Sequence, residues 1–286
     1  MRIGLLASGG LGLNVVKYFL AKSGLTFVMT DRKSTDIIQL AKEKKVPYFV
    51  GNPRDGRSQD FIKDKQIDVL ISVNYLFIIE KDLINLPSKI AFNIHGSLLP
   101  KYRGRTPHVW AIINNEVETG ITAHLIDNGC DTGDIIEQIK IPIGYYETGA
   151  EILRKYSENY IPLIDRVISK IESGKLILLR QDNLKATYFG KRTPEDGRID
   201  WNWQKERIRN WVRAQAYPYP GAFSLLDSNK IVIDEVVFDE RGYEENMPNG
   251  LILSAEPFLV KSPNGVIKIK KFRDIDFQIQ SGKILE

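Results

Sequence analysis

Cysteine is almost absent: Cys130 is the only one in 286 residues. An internal disulfide framework is therefore excluded, and such thiol usage suits a reducing compartment, so the cytoplasm is the expected location. Histidine is nearly as scarce. His95, His108 and His124 are scattered, and with one cysteine they offer no zinc-type ligand spacing, so no metal is expected. No apolar run approaches the ~18 residues that span a bilayer, and residues 1–8 meet glycine too soon to read as a secretory leader. No membrane partner is expected. An excess of one charge sign is missing too. The 40 Lys and Arg against 36 Asp and Glu leave a net charge of +4, too mild to call for nucleic acid yet compatible with an anionic small ligand. Two familiar motifs fail as well. Gly10-x-Gly12 is followed by Val15 where the dinucleotide fingerprint needs its third glycine, and no G-x-S-x-G nucleophile elbow exists.

What is present is an alternation of strand and helix. Residues 2–7, 26–30, 68–73 and 90–94 are short, mostly apolar strands. Helical patterns at 14–21, 34–44 and 58–65 intervene, with a brief extended piece at 47–50. Strands apolar on both faces and separated by helices predict a parallel sheet covered on both sides, a Rossmann-like doubly wound α/β domain. Residues 106–114 read as a helix beginning at Pro107, and 120–127 and 134–143 as neighbouring antiparallel strands. Residues 148–172 read as a long helix, with Thr148 and Glu151 spaced as a capping box and Pro162 expected to kink or split it. Beyond Pro218 only strands and turns remain, at 230–238, 250–255, 258–262 and 266–272, a small β barrel or open sheet of OB-like kind. The expected organisation is a catalytic domain at 1–185, a connector at 186–208 and a small β domain at 209–286.

The chemistry concentrates in Phe92-Asn93-Ile94-His95-Gly96-Ser97-Leu98-Leu99-Pro100 and in Asn128-Gly129-Cys130-Asp131-Thr132-Gly133-Asp134. Asn93 and His95 are two apart at a strand end and so share one face. Asp131 returns in a glycine-flanked loop. An amide to polarise an oxyanion, an imidazole to handle a proton and a carboxylate to orient it are the parts of acyl transfer. The following loop carries Lys101, Arg103 and Arg105, cations suited to phosphates but also ordinary for a solvated loop. His124, mid-strand among apolar residues, reads as structural. Gly9 and Gly10 open the first helix in a tight turn where a phosphate-bearing ligand could approach the backbone, and Asp31 is the only other cue for a nicotinamide.

These two segments resemble the folate-dependent formyltransferase family, and the likeness extends through Arg192-Thr193-Pro194-Glu195-Asp196-Gly197-Arg198-Ile199-Asp200-Trp201 and Tyr217-Pro218-Tyr219-Pro220-Gly221-Ala222-Phe223. The resemblance implies transfer of formyl from N10-formyltetrahydrofolate, as co-substrate, to an amine, with Asn93, His95 and Asp131 catalytic. It implies that Tyr75, Leu76, Phe77 and Ile78, with Asp127, lie at the pterin pocket. The tRNA-acting members carry a basic insertion after the second strand, whereas here Thr30-Asp31-Arg32-Lys33 runs at once into a helix. The segment 102–110 looks closest to the sugar-nucleotide N-formyltransferases. That likeness implies a dTDP- or UDP-linked amino sugar for surface polysaccharide (O-antigen) synthesis. Gly9, Gly10, Ser97, Lys101, Arg103, Arg105 and Thr106 would meet it, and Tyr217 and Tyr219 would stack on its pyrimidine or simply pack beside prolines. A homodimer is a further expectation. The alternatives are methionyl-tRNA formyltransferase, formyltetrahydrofolate hydrolase and a non-catalytic binder of the same ligands.

Overall fold

The computed structural model describes Met1–Glu286. In chain order the elements are β1 (Ile3–Ala7), α1 (Gly9–Ala21), β2 (Leu25–Thr30), α2 (Thr35–Glu43), β3 (Tyr48–Val50), α3 (Gln59–Ile62), β4 (Val69–Val73), α4 (Lys81–Ile84), β5 (Ile90–His95), β6 (Arg103–Gly104), α5 (Pro107–Ile113), β7 (Glu118–Leu125), β8 (Ile135–Pro142) and α6 (Gly149–Glu172). There follow β9 (Tyr188–Phe189), α7 (Lys205–Ala214), β10 (Ala222–Leu226), β11 (Asn229–Asp239), β12 (Ile252–Ser254), β13 (Leu259–Ser262) and β14 (Gly265–Phe272). Two compact units emerge, and they are not contiguous in sequence. One comprises Met1–Gly104, Gly120–Ile141 and Lys155–Tyr188; the other Arg105–Thr119, Pro142–Arg154 and Phe189–Glu286.

The first unit is built on a seven-stranded sheet of order β3-β2-β1-β4-β5-β7-β8. The pairs β2/β3, β1/β2, β1/β4 and β4/β5 are parallel, and β7 runs antiparallel to β5. Every residue of β1 and β4 is buried, as the apolar runs demand of strands covered on both faces. The strand order reverses between β1 and β4, the place where open α/β sheets leave a crevice at their carboxyl edge. There Asn74 donates from Nδ2 to the Ser8 carbonyl at 3.1 Å, and the Ser8 N–H donates to the Val73 carbonyl at 3.3 Å. At Gly12 a Cβ would stand 3.0 Å from the Ala7 backbone, so helix and strand meet closely only because it is glycine. Asp31 accepts bonds from the Ser34 hydroxyl at 2.6 Å and the Lys33 N–H at 2.8 Å, while Ser34 Oγ accepts the Gly9 N–H at 2.9 Å. The supposed nicotinamide cue therefore braces two loops of the protein itself.

The helix expected over 148–172 forms as Gly149–Glu172 and runs unbroken through Pro162. Its capping box is made as read, with Thr148 N–H on Glu151 Oε2 at 2.7 Å and Glu151 N–H on Thr148 Oγ1 at 3.3 Å. No split occurs because the apolar stripe continues across the proline. Tyr156, Tyr160, Leu163, Ile164 and Val167 are all buried, and that packing keeps both halves in one continuous helix.

The second unit is built on a five-stranded antiparallel sheet of order β10-β11-β14-β13-β12, with α7 against β11. Its edges are tied by the chain's last residues. Leu225 and Glu286 exchange both backbone bonds at 3.0 and 2.9 Å, and the Leu285 N–H reaches Gly250 O at 2.9 Å beside β12. A tail pairing at both edges satisfies backbone groups that an open sheet would expose. In the same unit His108 of α5 is buried, with Nε2 2.8 Å from the Tyr219 hydroxyl. Burial pulls its pKa from 6.5 to about 4. The unfolded chain therefore takes a proton on this residue as pH falls below 6.5, while the folded chain does not until about 4. Stability present at neutral pH is lost across that window, by about 3 kcal/mol for this one group. Urea melts at neutral and mildly acidic pH should show His108→Gln flattening that acid slope. An unchanged slope would remove His108 from the account.

Candidate active site

Asn93 and His95 occupy the end of β5, on one face, and β7 lies beside them in a register that sets Asn93 opposite His124 and His95 opposite Thr122. Asp131 lies in the loop between β7 and β8 with φ +56°, a left-handed backbone uncommon outside glycine, though aspartate and asparagine adopt it more readily than other residues. Its main chain is held by Gln181, whose Nε2 donates to Asp131 O at 2.9 Å and Gly133 O at 2.7 Å. Strain of this kind persists only where the surroundings over-determine it.

The carboxylate stands between two imidazoles. Asp131 Oδ2 is 3.5 Å from His95 Nδ1, and Oδ1 is 3.6 Å from His124 Nε2. Oδ2 also accepts the Gly104 N–H at 2.9 Å. Burial pushes the Asp131 pKa up, but His124, His95 and the Gly104 N–H outweigh it and hold the group ionised, well below the usual carboxylate range. His95 shows the opposite balance. Burial lowers its pKa, and the neighbouring Asp131 and the Tyr102 carbonyl only partly restore it, so the imidazole rests neutral at pH 7. Its Nε2 donates to Tyr102 O at 2.7 Å, which leaves the Nδ1 lone pair facing Asp131. A proton arriving at Nδ1 is paired with a carboxylate at once. That geometry suits a group that is neutral at rest and charged in the transition state.

His124 Nδ1 lies 2.8 Å from the Leu125 carbonyl, and its Nε2 lies 3.1 Å from Asn93 Nδ2 and 3.6 Å from Asp131 Oδ1. Sequence reading assigned His124 to structure alone. Its place opposite Asn93 depends on a strand register that composition does not reveal.

Arg103, expected on phosphate, is instead 1% exposed. Its guanidinium donates to Gln181 Oε1 at 2.7 and 3.2 Å, to Asn183 Oδ1 at 3.0 Å and to the Tyr188 hydroxyl. Through Gln181 it steadies the backbone that carries Asp131, so it positions the site rather than offering a free cation. Ser97, likewise expected on substrate, is buried, and its hydroxyl donates to Lys101 O at 2.7 Å, closing the loop after His95. Lys101 is exposed, as are Gly9 and Gly10. Arg105 (exposed) and Thr106 (φ +48°) belong to the second unit, as do Tyr217, 76% exposed, and the half-buried Tyr219.

The segment after β4 bears exposed Leu76 and Ile78, a Tyr75–Phe77 edge-to-face pair at 5.4 Å, and a buried Tyr75 hydroxyl with no hydrogen-bond partner. Ile78 and Ile79 line an open cavity of about 510 Å³ with Asn128. Asp127 is occupied locally, accepting the Gly129 N–H at 3.0 Å and the Thr132 hydroxyl at 2.7 Å. The rest of the cavity's lining is Gly56, Gln59, Glu80, Lys81 and Asp82, while Tyr75 packs against the hydrophobic core.

An amide, a neutral histidine and an ionised carboxylate at the carboxyl edge of a mostly parallel sheet define an acyl-group transferase. Comparison narrows that class. Residues 7–167 match the family model described as formyl transferase, and residues 191–284 match the one described as formyl transferase, C-terminal domain. The chain belongs to the formyl transferase family. Among solved structures it is similar to WlaRD, a sugar 3N-formyl transferase crystallised in the presence of dTDP and 5-N-formyl-THF, at 22% identity and TM-score 0.71 over 95% of this chain and 98% of that one. It is similar to an N-formyltransferase from Helicobacter canadensis in complex with folinic acid and dTDP-3-aminofucose, at 22% identity and TM-score 0.73 over 94% and 98%. A methionyl-tRNA formyltransferase from Clostridium thermocellum matches at 20% identity and TM-score 0.56 over 84% and 94%. At these identities the likeness is one of fold.

Proposed function

We propose that this protein transfers a formyl group from N10-formyltetrahydrofolate to the amino group of a nucleotide-linked amino sugar, in the cytoplasm, for a surface polysaccharide. The observation that carries the chemistry is the His95 imidazole with an acceptor at each nitrogen, Tyr102 O and Asp131 Oδ2. When bound, the folate supplies the formyl group; the segment 75–79 and the cavity beside it would hold it. Asn93 Nδ2 stands 3.1 Å from His124 and has an amide N–H for the carbonyl oxygen on which charge develops. His95 takes up the proton released by the attacking amine and returns it to the leaving nitrogen, while Asp131 holds the imidazolium between those two events.

Two features support the amino sugar as acceptor. The chain passes from β2 through Asp31-Arg32-Lys33-Ser34 directly into α2, with no basic insertion. The two sugar-acting relatives also match nearly end to end and with higher TM-scores than the tRNA-acting one. The test is a panel of dTDP- and UDP-linked amino sugars offered with N10-formyltetrahydrofolate and read by mass spectrometry for addition of one formyl group. At least one sugar nucleotide should be formylated in a reaction that moderate salt barely affects. Activity on methionyl-tRNA alone, steeply salt-dependent, would reverse the acceptor. Formate release without any acceptor would mark a hydrolase.

A further inference from the structure

The loop that follows His95 is pinned near its start by the core. The Tyr156 hydroxyl donates to Gly96 O at 2.8 Å, and the Thr122 hydroxyl donates to Ser97 O at 2.6 Å and accepts the Leu99 N–H at 3.2 Å. Gln138 Nε2 donates to Leu99 O at 3.0 Å and to Thr122 Oγ1 at 2.8 Å. Tyr156 and Thr122 are buried, so this end of the loop comes with the packing of β7, β8 and α6.

The far end is held differently. Tyr102 has φ +61°, a left-handed backbone uncommon for an aromatic residue. Its own N–H donates to Thr187 Oγ1 at 2.8 Å, and the next N–H, that of Arg103, donates to Thr187 O at 2.8 Å. One residue 85 positions along the chain thus clasps Tyr102 from both sides. Thr187 stands just before β9 and is exposed.

The clasp bears on the catalytic imidazole. The Arg103 N–H and the Tyr102 C=O belong to one peptide unit, planar and trans. Fixing the N–H on Thr187 therefore aims the carbonyl the opposite way, and there it meets His95 Nε2 at 2.7 Å. A carbonyl can only accept, so its placement decides which ring nitrogen carries the proton. A proton on Nε2 leaves the Nδ1 lone pair towards Asp131 Oδ2 at 3.5 Å. Of the two bonds in the clasp, the one to Thr187 Oγ1 belongs to a side chain and can be removed by substitution. Without it the strained backbone of Tyr102 loses a restraint that over-determines it.

We infer that Thr187 is a positioning residue for the formyl transfer proposed above: by fixing the Tyr102–Arg103 peptide it holds His95 in the tautomer protonated at Nε2. The inference rests on that reading for its kinetic consequence, whereas the tautomer is a property of the ligand-free protein.

The test compares Thr187→Val, which keeps the shape and removes the acceptor, with Thr187→Ser, which keeps the acceptor. Thr187→Val should lower kcat by about tenfold, within what a misplaced catalytic group costs, with KM for both substrates unchanged. Thr187→Ser should restore the parent's kcat. Nitrogen-15 NMR of the imidazole rings, without substrates at neutral pH, reads the tautomer directly. His95, His108 and His124 are the only histidines, so single replacements assign the signals. The parent and Thr187→Ser should show His95 protonated at Nε2; Thr187→Val should show a mixture with the Nδ1 form. Should Thr187→Val fail to fold, Thr187→Ala is read in its place. Parent-like ring signals in the Val variant overturn the inference. So does a parent-like kcat, or a loss that serine does not rescue. If the parent transfers no formyl group, the proposed reaction fails, and the ring signals alone decide the role of Thr187.

Discussion

Replacing His95 with glutamine is expected to lower kcat for formyl transfer by about 10²–10⁴-fold, the usual worth of a general acid–base. Glutamine can still donate to the Tyr102 carbonyl, so the loop from Ser97 to Arg103 keeps its anchor. It cannot take up a proton where His95 Nδ1 faces Asp131 at 3.5 Å. Binding of both substrates should change little, because the imidazole is buried and its acceptors belong to the protein. The measurement is kcat and KM for each substrate, with circular dichroism to verify the fold. Turnover within about threefold of the parent, far short of that expected loss, would dismiss His95 as the proton carrier. The pH profile adds a second reading. His95 must be neutral at rest and its pKa is held below 6.5 by burial, so the parent should keep its activity as pH falls past 6.5 and lose it only lower.

Much of this site is written locally. Asn93 and His95 alternate on one strand, and the loop after them is rich in turn formers, so an amide and an imidazole at a sheet edge follow from strand periodicity. The parallel order β3-β2-β1-β4-β5 is likewise legible, because strands apolar on both faces have few other homes. What the sequence hides is long-range. His124 acts with Asn93 because β7 pairs with β5 in one particular register, and a shift of one residue would turn it to the opposite face. Arg103 reads as a solvent cation because isolated charges rarely stay buried. Its burial depends on Gln181 and Asn183, some 80 residues on, whose polar groups say nothing of their partner until the chain is folded. The grouping of Arg105–Thr119 and Pro142–Arg154 with the C-terminal residues has the same origin. Asn115 pairs with Asn210 at 2.9 Å and α5 packs on α7, contacts between helices that neither helix announces.

Asp131→Asn should cost a comparable factor, about 10²–10⁴ in kcat, for a different reason. Asparagine preserves size and one oxygen for the Gly104 N–H. It removes the charge that stands between His95 and His124, so an imidazolium formed on His95 during transfer is left buried and unpaired. The variant therefore predicts a shift as well as a loss. The carboxylate is what raises the His95 pKa against burial. Without it that pKa moves down, and the acid limb of the residual activity should move to lower pH while the plateau falls. A residue that merely shaped the loop would lower the plateau and leave the limb in place. Stability responds with the opposite pH sense. Asp131 is ionised in the fold well below its unfolded value. The stabilisation it gives is therefore present at neutral pH and is lost as pH falls below about 4, the unfolded carboxylate value. Asp131→Asn should be less stable than the parent at pH 7 and converge with it in acid, since protonation does to the parent what the substitution has already done. Parallel melting curves for the two proteins across that range would mean that the carboxylate is not held charged between the histidines, and the proton route through His95 would fail with it.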